Sequence, residues 1–277
     1  MPIGGRIIGG GGGGGGGASS SWTVRKEFDF SGVSGANQHD FKTGSKDYDG
    51  VEYSAGDTAN ATLIKTVSGS GLELSPVTTT DIRWYTTGTM NAPRVAVQIQ
   101  GGAKPLYAGL GATQAFAFQA IIEPATELAA NYDEYGILLT NAATTYYCTS
   151  NRHYDSSAFS AGSPPIGNYL MRRVTGASPN PAAIAGAAES SAHKFFELVW
   201  YPGGTVIAAS SADTNFVEPL SATTFQKFVT TNPGTTSTAS SVAFRNSELW
   251  AMFYIANYGS STAFKAVVKK FRLLTLE

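Results

Sequence analysis

Aromatic and polar side chains that can hold a sugar ring are concentrated in YYCTSNRHYD, residues 146–155. Flat aromatic rings stack on the apolar faces of sugars, while amide, carboxylate and guanidinium groups hydrogen-bond the hydroxyl groups. We expect a loop here that contacts a glycan or another partner through Tyr147, Asn151, Arg152, His153, Tyr154 and Asp155. Tyr and Arg are also enriched in protein interfaces, so packing at a sheet edge or a subunit interface is the alternative, and the commoner one for paired tyrosines.

The sequence shows no arrangement of catalytic carboxylates. Hydrolysis of a glycosidic bond needs two carboxyl groups that flank it. Glu197 stands alone in FFELVW, and the adjacent Asp133 and Glu134 would lie on opposite faces of a strand, a pair more typical of a turn. Cys148 and His153 could form a nucleophilic pair only with a third group that orients them. We therefore predict no catalytic residue and expect that the protein is not an enzyme.

Metal ligands at suitable spacing are equally scarce. The stretch DYDG, residues 47–50, is like the start of a calcium loop, but Thr58 stands where an EF-hand needs glutamate. An Asp-Gly turn is therefore the preferred interpretation of that stretch, and a looser calcium site is the alternative. No histidine has metal-ligand spacing to another histidine, and Cys148 has no C-x-x-C partner. The sequence predicts no metal and no cofactor.

The composition limits the partners that the chain can have. Of its 277 residues, 42% are hydrophobic and 14% are charged, and the 19 basic and 20 acidic residues give a net charge of −1. There is no basic stripe to neutralise nucleic-acid phosphates. No apolar run approaches the roughly 18 residues of a membrane span. We expect neither nucleic-acid binding nor membrane insertion, and the single cysteine excludes an intrachain disulfide.

Most of the chain alternates apolar and polar residues with the period of β-strands. The clearest examples are SWTVRKEFDF, RVAVQIQ, FAFQAII, FFELVWY, LWAMFYI and KKFRLLTL, each predicted to bury one face and expose the other. Strands of about 5–6 residues would number roughly ten to fourteen. Turn residues predict hairpins at 202–204 and 257–260. Helical periodicity is weak, and PATELAANYDEYG is the best candidate for a helix or a single turn.

The N-terminal segment is a short apolar hook followed by nine consecutive glycines. A glycine run loses too much conformational entropy to form a helix or a sheet by itself. It is either a flexible tether or an arm that becomes ordered in an assembly. The predicted anchoring residues are Ile3, Arg6, Ile7 and Ile8, followed by the run from Gly9 to Gly17.

These features divide the chain into an arm, residues 1–21, and one domain, residues 22–277. Within the domain, residues 155–192 are weakly patterned and rich in proline and alanine, which predicts a long surface loop. The predicted fold class is all-β, an antiparallel jelly-roll sandwich preceded by an extended glycine-rich N-terminal arm.

Five stretches carry a resemblance to a known fold over roughly residues 105–277: FAFQAIIEP, YGILLTNAATTYY, FFELVWYPGGTVIAASS, ELWAMFYIANYG and FKAVVKKFRLLTL. Their order resembles the concanavalin A-like jelly roll, a superfamily of lectins, glucanases, laminin G-like domains and many phage surface proteins. The resemblance implies that residues 22–32 pair with the last strand. Glucanases of this fold carry a Glu-x-Asp-x-x-Glu or Glu-x-Asp-x-Glu strand, which this sequence lacks.

The hook and glycine run ahead of an all-β head are similar to those of bacteriophage virion proteins of the capsid-decoration or fibre type. This resemblance implies a structural protein located in the virion, whose arm binds other virion proteins such as capsid or tail subunits. Three extended arms that share one axis would give a homotrimer, although a decoration protein could equally be a monomer or a dimer. The alternative is a carbohydrate-binding module or receptor-binding adhesin that contacts a host surface glycan. A polysaccharide-degrading enzyme is the least favoured interpretation.

Overall fold

A computed structural model of the protein describes residues 21–30, 44–48, 51–56, 62–67, 71–76, 94–101, 105–111, 113–125, 128, 133–141, 146–154, 166–174, 182–188, 192–202, 205–221, 225–230, 249–256 and 265–277. These residues contain sixteen β-strands and no α-helix. The strands are β1 (Trp22–Asp29), β2 (Gly44–Tyr48), β3 (Val51–Gly56), β4 (Thr62–Val67), β5 (Gly71–Pro76), β6 (Arg94–Gln100), β7 (Phe116–Pro124), β8 (Glu134–Asn141), β9 (Tyr146–Tyr154), β10 (Ile166–Val174), β11 (Ala182–Ala188), β12 (Phe195–Trp200), β13 (Val206–Ser211), β14 (Phe225–Thr230), β15 (Leu249–Ala256) and β16 (Ala266–Leu276).

The strands form two eight-stranded antiparallel sheets. The first sheet has the order β14-β13-β12-β7-β16-β5-β4, with β1 also paired to β16. The second sheet has the order β11-β10-β9-β8-β15-β6-β3-β2. The predicted all-β jelly-roll sandwich is confirmed, with more strands than the ten to fourteen expected.

The last strand, β16, joins three other strands of the first sheet. It pairs with β7 along one side, from Ala266 opposite Pro124 to Thr275 opposite Phe116. On its other side, the first residues of β16 pair with β5 and the later ones pair with β1. The expectation that the first strand pairs with the last is confirmed.

An aromatic core fills the space between the two sheets. Phe271 of β16 lies at its centre, with its ring centroid 5.8 Å from Phe118 of β7 and 5.3 Å from Phe253 of β15. Phe28 and Phe30 contact the same ring at centroid distances of 5.8 and 5.9 Å. All five side chains are buried, so these rings join strands of both sheets into one core.

A β-bulge in β1 places its aromatic residues on different faces. The register against β16 shifts between Val24 and Lys26, which inserts one extra residue. Trp22 therefore packs on the outer face of the first sheet, while Phe28 and Phe30 enter the core. The expectation that Trp22, Val24, Phe28 and Phe30 share one face is wrong, because a bulge reverses the alternation beyond it.

Three strands of the first sheet are buried on both faces. Every residue of β12 and β13, and the first seven residues of β7, are buried. The prediction of one exposed face is wrong for β7 and β12. The reason is that residues 212–221 cover the outer face of the sheet.

The two predicted hairpins have different outcomes. Strands β12 and β13 pair across residues 202–204, and the Tyr201 amide donates to the Thr205 carbonyl at 2.8 Å, as predicted. The hairpin at 257–260 is wrong, because β15 belongs to the second sheet and β16 to the first. Both edges of β15 are occupied by β6 and β8, so the chain must cross to the other sheet. Strands β2 and β3 pair with Tyr48 opposite Val51, as the preferred Asp-Gly turn predicts.

Two other expectations differ from the structure. Residues 155–192, predicted as a long loop, contain β10 and β11, which pair with each other. The alanine-rich β11 has little apolar–polar contrast, so its strand character is not visible as a period of two. In PATELAANYDEYG, the described residues contain no helix, and Glu134 begins β8 instead of a turn.

Replacing Phe271 with alanine is expected to lower the free energy of unfolding by about 3–5 kcal/mol, because four other rings lose their shared contact. Urea unfolding of the purified variant measures this change. The control is Val24→Ala, since Val24 is 45% exposed and should stay within about 0.5 kcal/mol of the parent protein. Equal stability of the two variants would contradict the core described here.

Candidate functional site

The residues predicted to contact a glycan lie on a strand. Tyr147, Asn151, Arg152, His153 and Tyr154 belong to β9, which pairs with β8 on one side and with β10 on the other. The expected loop is therefore wrong for these positions, and Asp155 lies outside the described residues. Whether they contact a glycan stays a prediction.

The register of β9 divides these residues between the two faces of the second sheet. Position 152 pairs with Tyr135 and position 148 with Leu139, two residues of the core between the sheets. Positions 147, 151 and 153 alternate with these and belong to the other face. The predicted residues therefore do not share one face, and Cys148 and His153 are assigned to opposite faces.

The predicted anchoring arm lies outside the described residues, but the point where it joins the domain does not. The Ser21 amide donates to the Glu277 carbonyl at 3.2 Å, and the Glu277 amide donates to the Ser21 carbonyl at 3.0 Å. These two bonds extend the pairing of β1 with β16. The arm therefore leaves the domain beside the end of β16.

A segment that we call the strap, residues 212–221, covers the outer face of the first sheet. Phe216 and Val217 pack against Ile121 and Phe195 of the sheet. Leu220 packs in a second cluster that includes Ala117, Val199, Ile207 and Leu274. These contacts explain why β7, β12 and β13 have no exposed face.

Three polar side chains of the sheet bind the backbone of the strap. Glu197 accepts a hydrogen bond from the Leu220 amide at 3.0 Å through Oε1, and another from Gln119 through Oε2. Gln119 also donates to the Val217 carbonyl at 3.1 Å. Arg272 donates to Gln119 Oε1 at 2.7 Å and to the Val217 carbonyl at 2.5 Å. Burial is tolerated here because the charged groups and the strap backbone are paired.

Two cations also hold the strap in place, and the surrounding contacts impose an unusual backbone conformation on Leu220. The Arg272 guanidinium lies 4.6 Å from the centroid of the Phe216 ring, and the Lys270 ammonium lies 4.9 Å from it. Burial lowers the pKa of Arg272, an effect opposed by the charges of Glu27 and Glu197. Leu220 has a φ of 64°, a left-handed conformation that a leucine adopts only when surrounding contacts enforce it.

Further buried polar residues lie just before β12, in β13, and at and just before the start of β8. Asp133 and Glu134 are fully buried, and His193 is 2% exposed. Nδ1 of His193 lies 2.9 Å from Ser210 Oγ, while Tyr135 donates to the His193 carbonyl at 3.0 Å. The contacts of His193 are not visible in the sequence, because Ser210 and Tyr135 are far from it in the chain.

A shallow depression of about 460 Å³ opens at the end of the first sheet, where β12 ends and β7 begins. It is lined by Thr113, Gln114, Ala115, Tyr201, Pro202, Leu276 and Glu277. Arg25 bounds it indirectly, because it pairs with Glu277, donates to Thr275 Oγ1 at 2.7 Å and lies 4.7 Å from the centroid of the Tyr107 ring. The sequence does not indicate this site, because its lining residues come from three separate stretches and Tyr201 is only the last residue of the predicted strand FFELVWY.

The environment of Tyr201 stabilises the neutral form of its hydroxyl group. Burial raises the pKa of Tyr201 above its usual value of 10.0, and the negative charge of Glu197 raises it further. The depression therefore offers an aromatic ring with a neutral hydroxyl group, together with an amide and a carboxylate.

The described residues contain neither a cluster of metal ligands nor a membrane-spanning helix. No three histidine, cysteine, aspartate or glutamate side chains in this part of the chain are grouped so that they could hold a metal ion. Nor do the described residues include a helix that is long and apolar enough to cross a membrane.

The sequence matches no protein-family model and no curated protein. Among solved structures, the CBM2 module of the evolved Dit of Lactobacillus casei BL23 phage J-1 is similar, with a TM-score of 0.51 and 10% identity. The match covers 94% of this chain and 98% of that module. At this identity the likeness shows the fold alone, a jelly-roll sandwich.

Two glycoside hydrolase structures are also similar. The GH43 protein BlXynB from Bacillus licheniformis has a TM-score of 0.52 and 13% identity, and the match covers 87% of this chain and 40% of that one. Xylan beta-1,4-xylosidase from Bacillus halodurans C-125 has a TM-score of 0.50 and 10% identity, over 85% of this chain and 38% of that one. This chain therefore spans about two fifths of the length of these hydrolases.

These likenesses correct the prediction that the protein is not an enzyme. That prediction rested on the lack of two carboxylates in one short motif, yet the sandwich fold also occurs in glycoside hydrolase chains. The motif argument was too narrow, because a fold can bring together carboxylates from distant strands. The adjacent residues Asp133 and Glu134 lie at the start of β8. They are far in sequence from Glu197 of β12, yet all three belong to one sandwich.

The Glu197→Gln variant is expected to lower the free energy of unfolding by about 1–3 kcal/mol, because one amide oxygen cannot serve both the Leu220 amide and Gln119. Removal of the charge should also lower the pKa of Tyr201 towards 10.0. Urea unfolding and an ultraviolet titration of the tyrosines measure the two effects.

The matched control for that experiment is Glu218→Gln, since Glu218 is an exposed residue of the strap. It should change neither the stability nor the titration. If Glu197→Gln behaved like this control, the polar attachment of the strap would be refuted.

Proposed function

We propose that this chain is a carbohydrate-binding domain carried on a bacteriophage particle. The observation that supports the proposal is the end-to-end likeness to the phage J-1 CBM2 module, 94% of this chain against 98% of that one. A whole domain here corresponds to a whole module that is named as carbohydrate-binding and belongs to a phage protein. The partner would be a glycan of the host surface.

In this proposal the glycine arm attaches the domain to other virion proteins, such as capsid or tail subunits. Nine residues without side chains can pass through a cleft too narrow for an ordinary strand. The paired backbones of Ser21 and Glu277 fix the point from which the arm leaves. Arms of several copies that pack along one axis would give a homo-oligomer, with a trimer as the simplest form.

Hydrolysis of a glycan is a second candidate function. It is favoured by the likeness to GH43 structures, in which this chain corresponds to about two fifths of the whole. Because the match covers only about two fifths of those proteins, it does not show that this chain has their activity. A binding domain would leave a bound glycan intact, whereas a hydrolytic domain would cleave it.

The full chain is expected to bind one or more bacterial surface glycans on a glycan array. The glycans that give a signal are then incubated with the protein, and reducing ends are measured over time. Binding without new reducing ends supports a binding domain, whereas new reducing ends support hydrolysis. The absence of a signal with every surface polysaccharide and array glycan would refute the proposal of carbohydrate binding.

Deletion of residues 1–17 is expected to abolish co-sedimentation with phage particles while glycan binding is retained. The reason is that the deletion removes the anchor and leaves the sandwich intact. A matched control replaces residues 9–17 by a serine-rich linker of equal length, which tests the glycines separately from the apolar hook. Full retention of the deleted protein on particles would show that the arm is not the anchor.

A further inference from the structure

We infer that the depression beside Tyr201 binds one neutral hexose ring of the glycan. This inference rests on the proposed function and assigns it to residues that the sequence did not indicate. It places the site at the end of the first sheet, on the same side as the start of the arm, and not on β9.

The residue types in the depression match the two kinds of surface on a sugar ring. Tyr201 and Pro202 supply an apolar wall, which suits the face of a hexose that carries only C–H groups. Thr113, Gln114 and Glu277 supply hydroxyl, amide and carboxylate groups that can bond the ring hydroxyls. A small number of polar groups beside an aromatic ring is the usual composition of a small-molecule site, and about 460 Å³ is within its usual size.

The charge of the depression favours a neutral sugar over an acidic one. Of the described residues that line it, one is acidic, Glu277, and none is basic. The nearby cation, Arg25, pairs with Glu277 and offsets its charge. The Tyr201 hydroxyl group adds no charge, because the usual pKa of tyrosine already lies well above neutral pH and burial raises the pKa of Tyr201 further.

The walls of the depression are held in place before any ligand binds. Tyr201 packs against the cluster that contains Val199 and Leu274, and its amide closes the β12–β13 hairpin. On the other side, the Leu276 amide donates to the Ala115 carbonyl at 3.0 Å. A preformed site loses less conformational entropy on binding, which allows a single sugar ring to be recognised.

The test is a titration of the full chain with the methyl glycosides of glucose, galactose, N-acetylglucosamine and rhamnose, followed by amide chemical shifts. We expect at least one glycoside to shift the amide signals of Gln114, Tyr201 and Leu276. Tyr201→Ala should weaken its binding about tenfold or more, Gln114→Ala should weaken it less, and Tyr201→Phe should retain most of the affinity because the ring remains.

Tyr154→Ala is the matched control, because it makes the same substitution at the site on β9 that the sequence suggested. Thermal unfolding of each variant shows whether a loss of binding is due to a loss of folding. Shifts that map to β9, with binding lost in Tyr154→Ala and retained in Tyr201→Ala, would overturn this inference and leave the proposed function standing. No binding of any glycoside, together with a blank glycan array, would overturn both.

Discussion

The pairing of β16 with its neighbours is the constraint on which the rest of the structure depends. This strand bonds to β7 along nearly its whole length and to β5 and β1 on its other side. A bulge between Val268 and Lys270 allows Val268 and Phe271 both to face the core. The same strand carries Arg272 to the opposite face, where it binds the strap. The core and the covered outer face are therefore positioned by one strand.

Burial of both faces of the first sheet has a polar consequence. The backbone of the strap brings amide and carbonyl groups onto an apolar surface, and these groups need partners when water is excluded. Glu197, Gln119 and Arg272 supply them. The network also influences the depression, since Glu197 raises the pKa of Tyr201, and Leu220 and Tyr201 pack against the same apolar cluster. The strap and the candidate sugar site are thus parts of one assembly.

The fold is shared by binding and hydrolytic proteins, so it does not by itself decide between them. The described carboxylates at Asp133, Glu134 and Glu197 are buried, whereas Glu277 lines a depression that is open to solvent. With a sugar bound beside Tyr201, the sandwich end next to the arm would carry the glycan contact. Attachment to the particle and contact with a sugar would then be made from the same end of the domain.

The sequence by itself determined the fold class and the β12–β13 hairpin, because these follow from a period of two and from turn residues, whereas the pairing of the first strand with the last came from the resemblance to the jelly roll. It also indicated the glycine arm, because a run of nine glycines does not form a helix or a sheet by itself. The tertiary structure alone decided which sheet β16 joins, the strand character of residues 182–188 and the double burial of β7 and β12. It also decided which residues form the candidate site, since Gln114, Tyr201 and Glu277 are distant in sequence and meet only through long-range strand pairing. Local patterns record the exposure of single residues, whereas such contacts depend on how strands from different parts of the chain are ordered in the sheets.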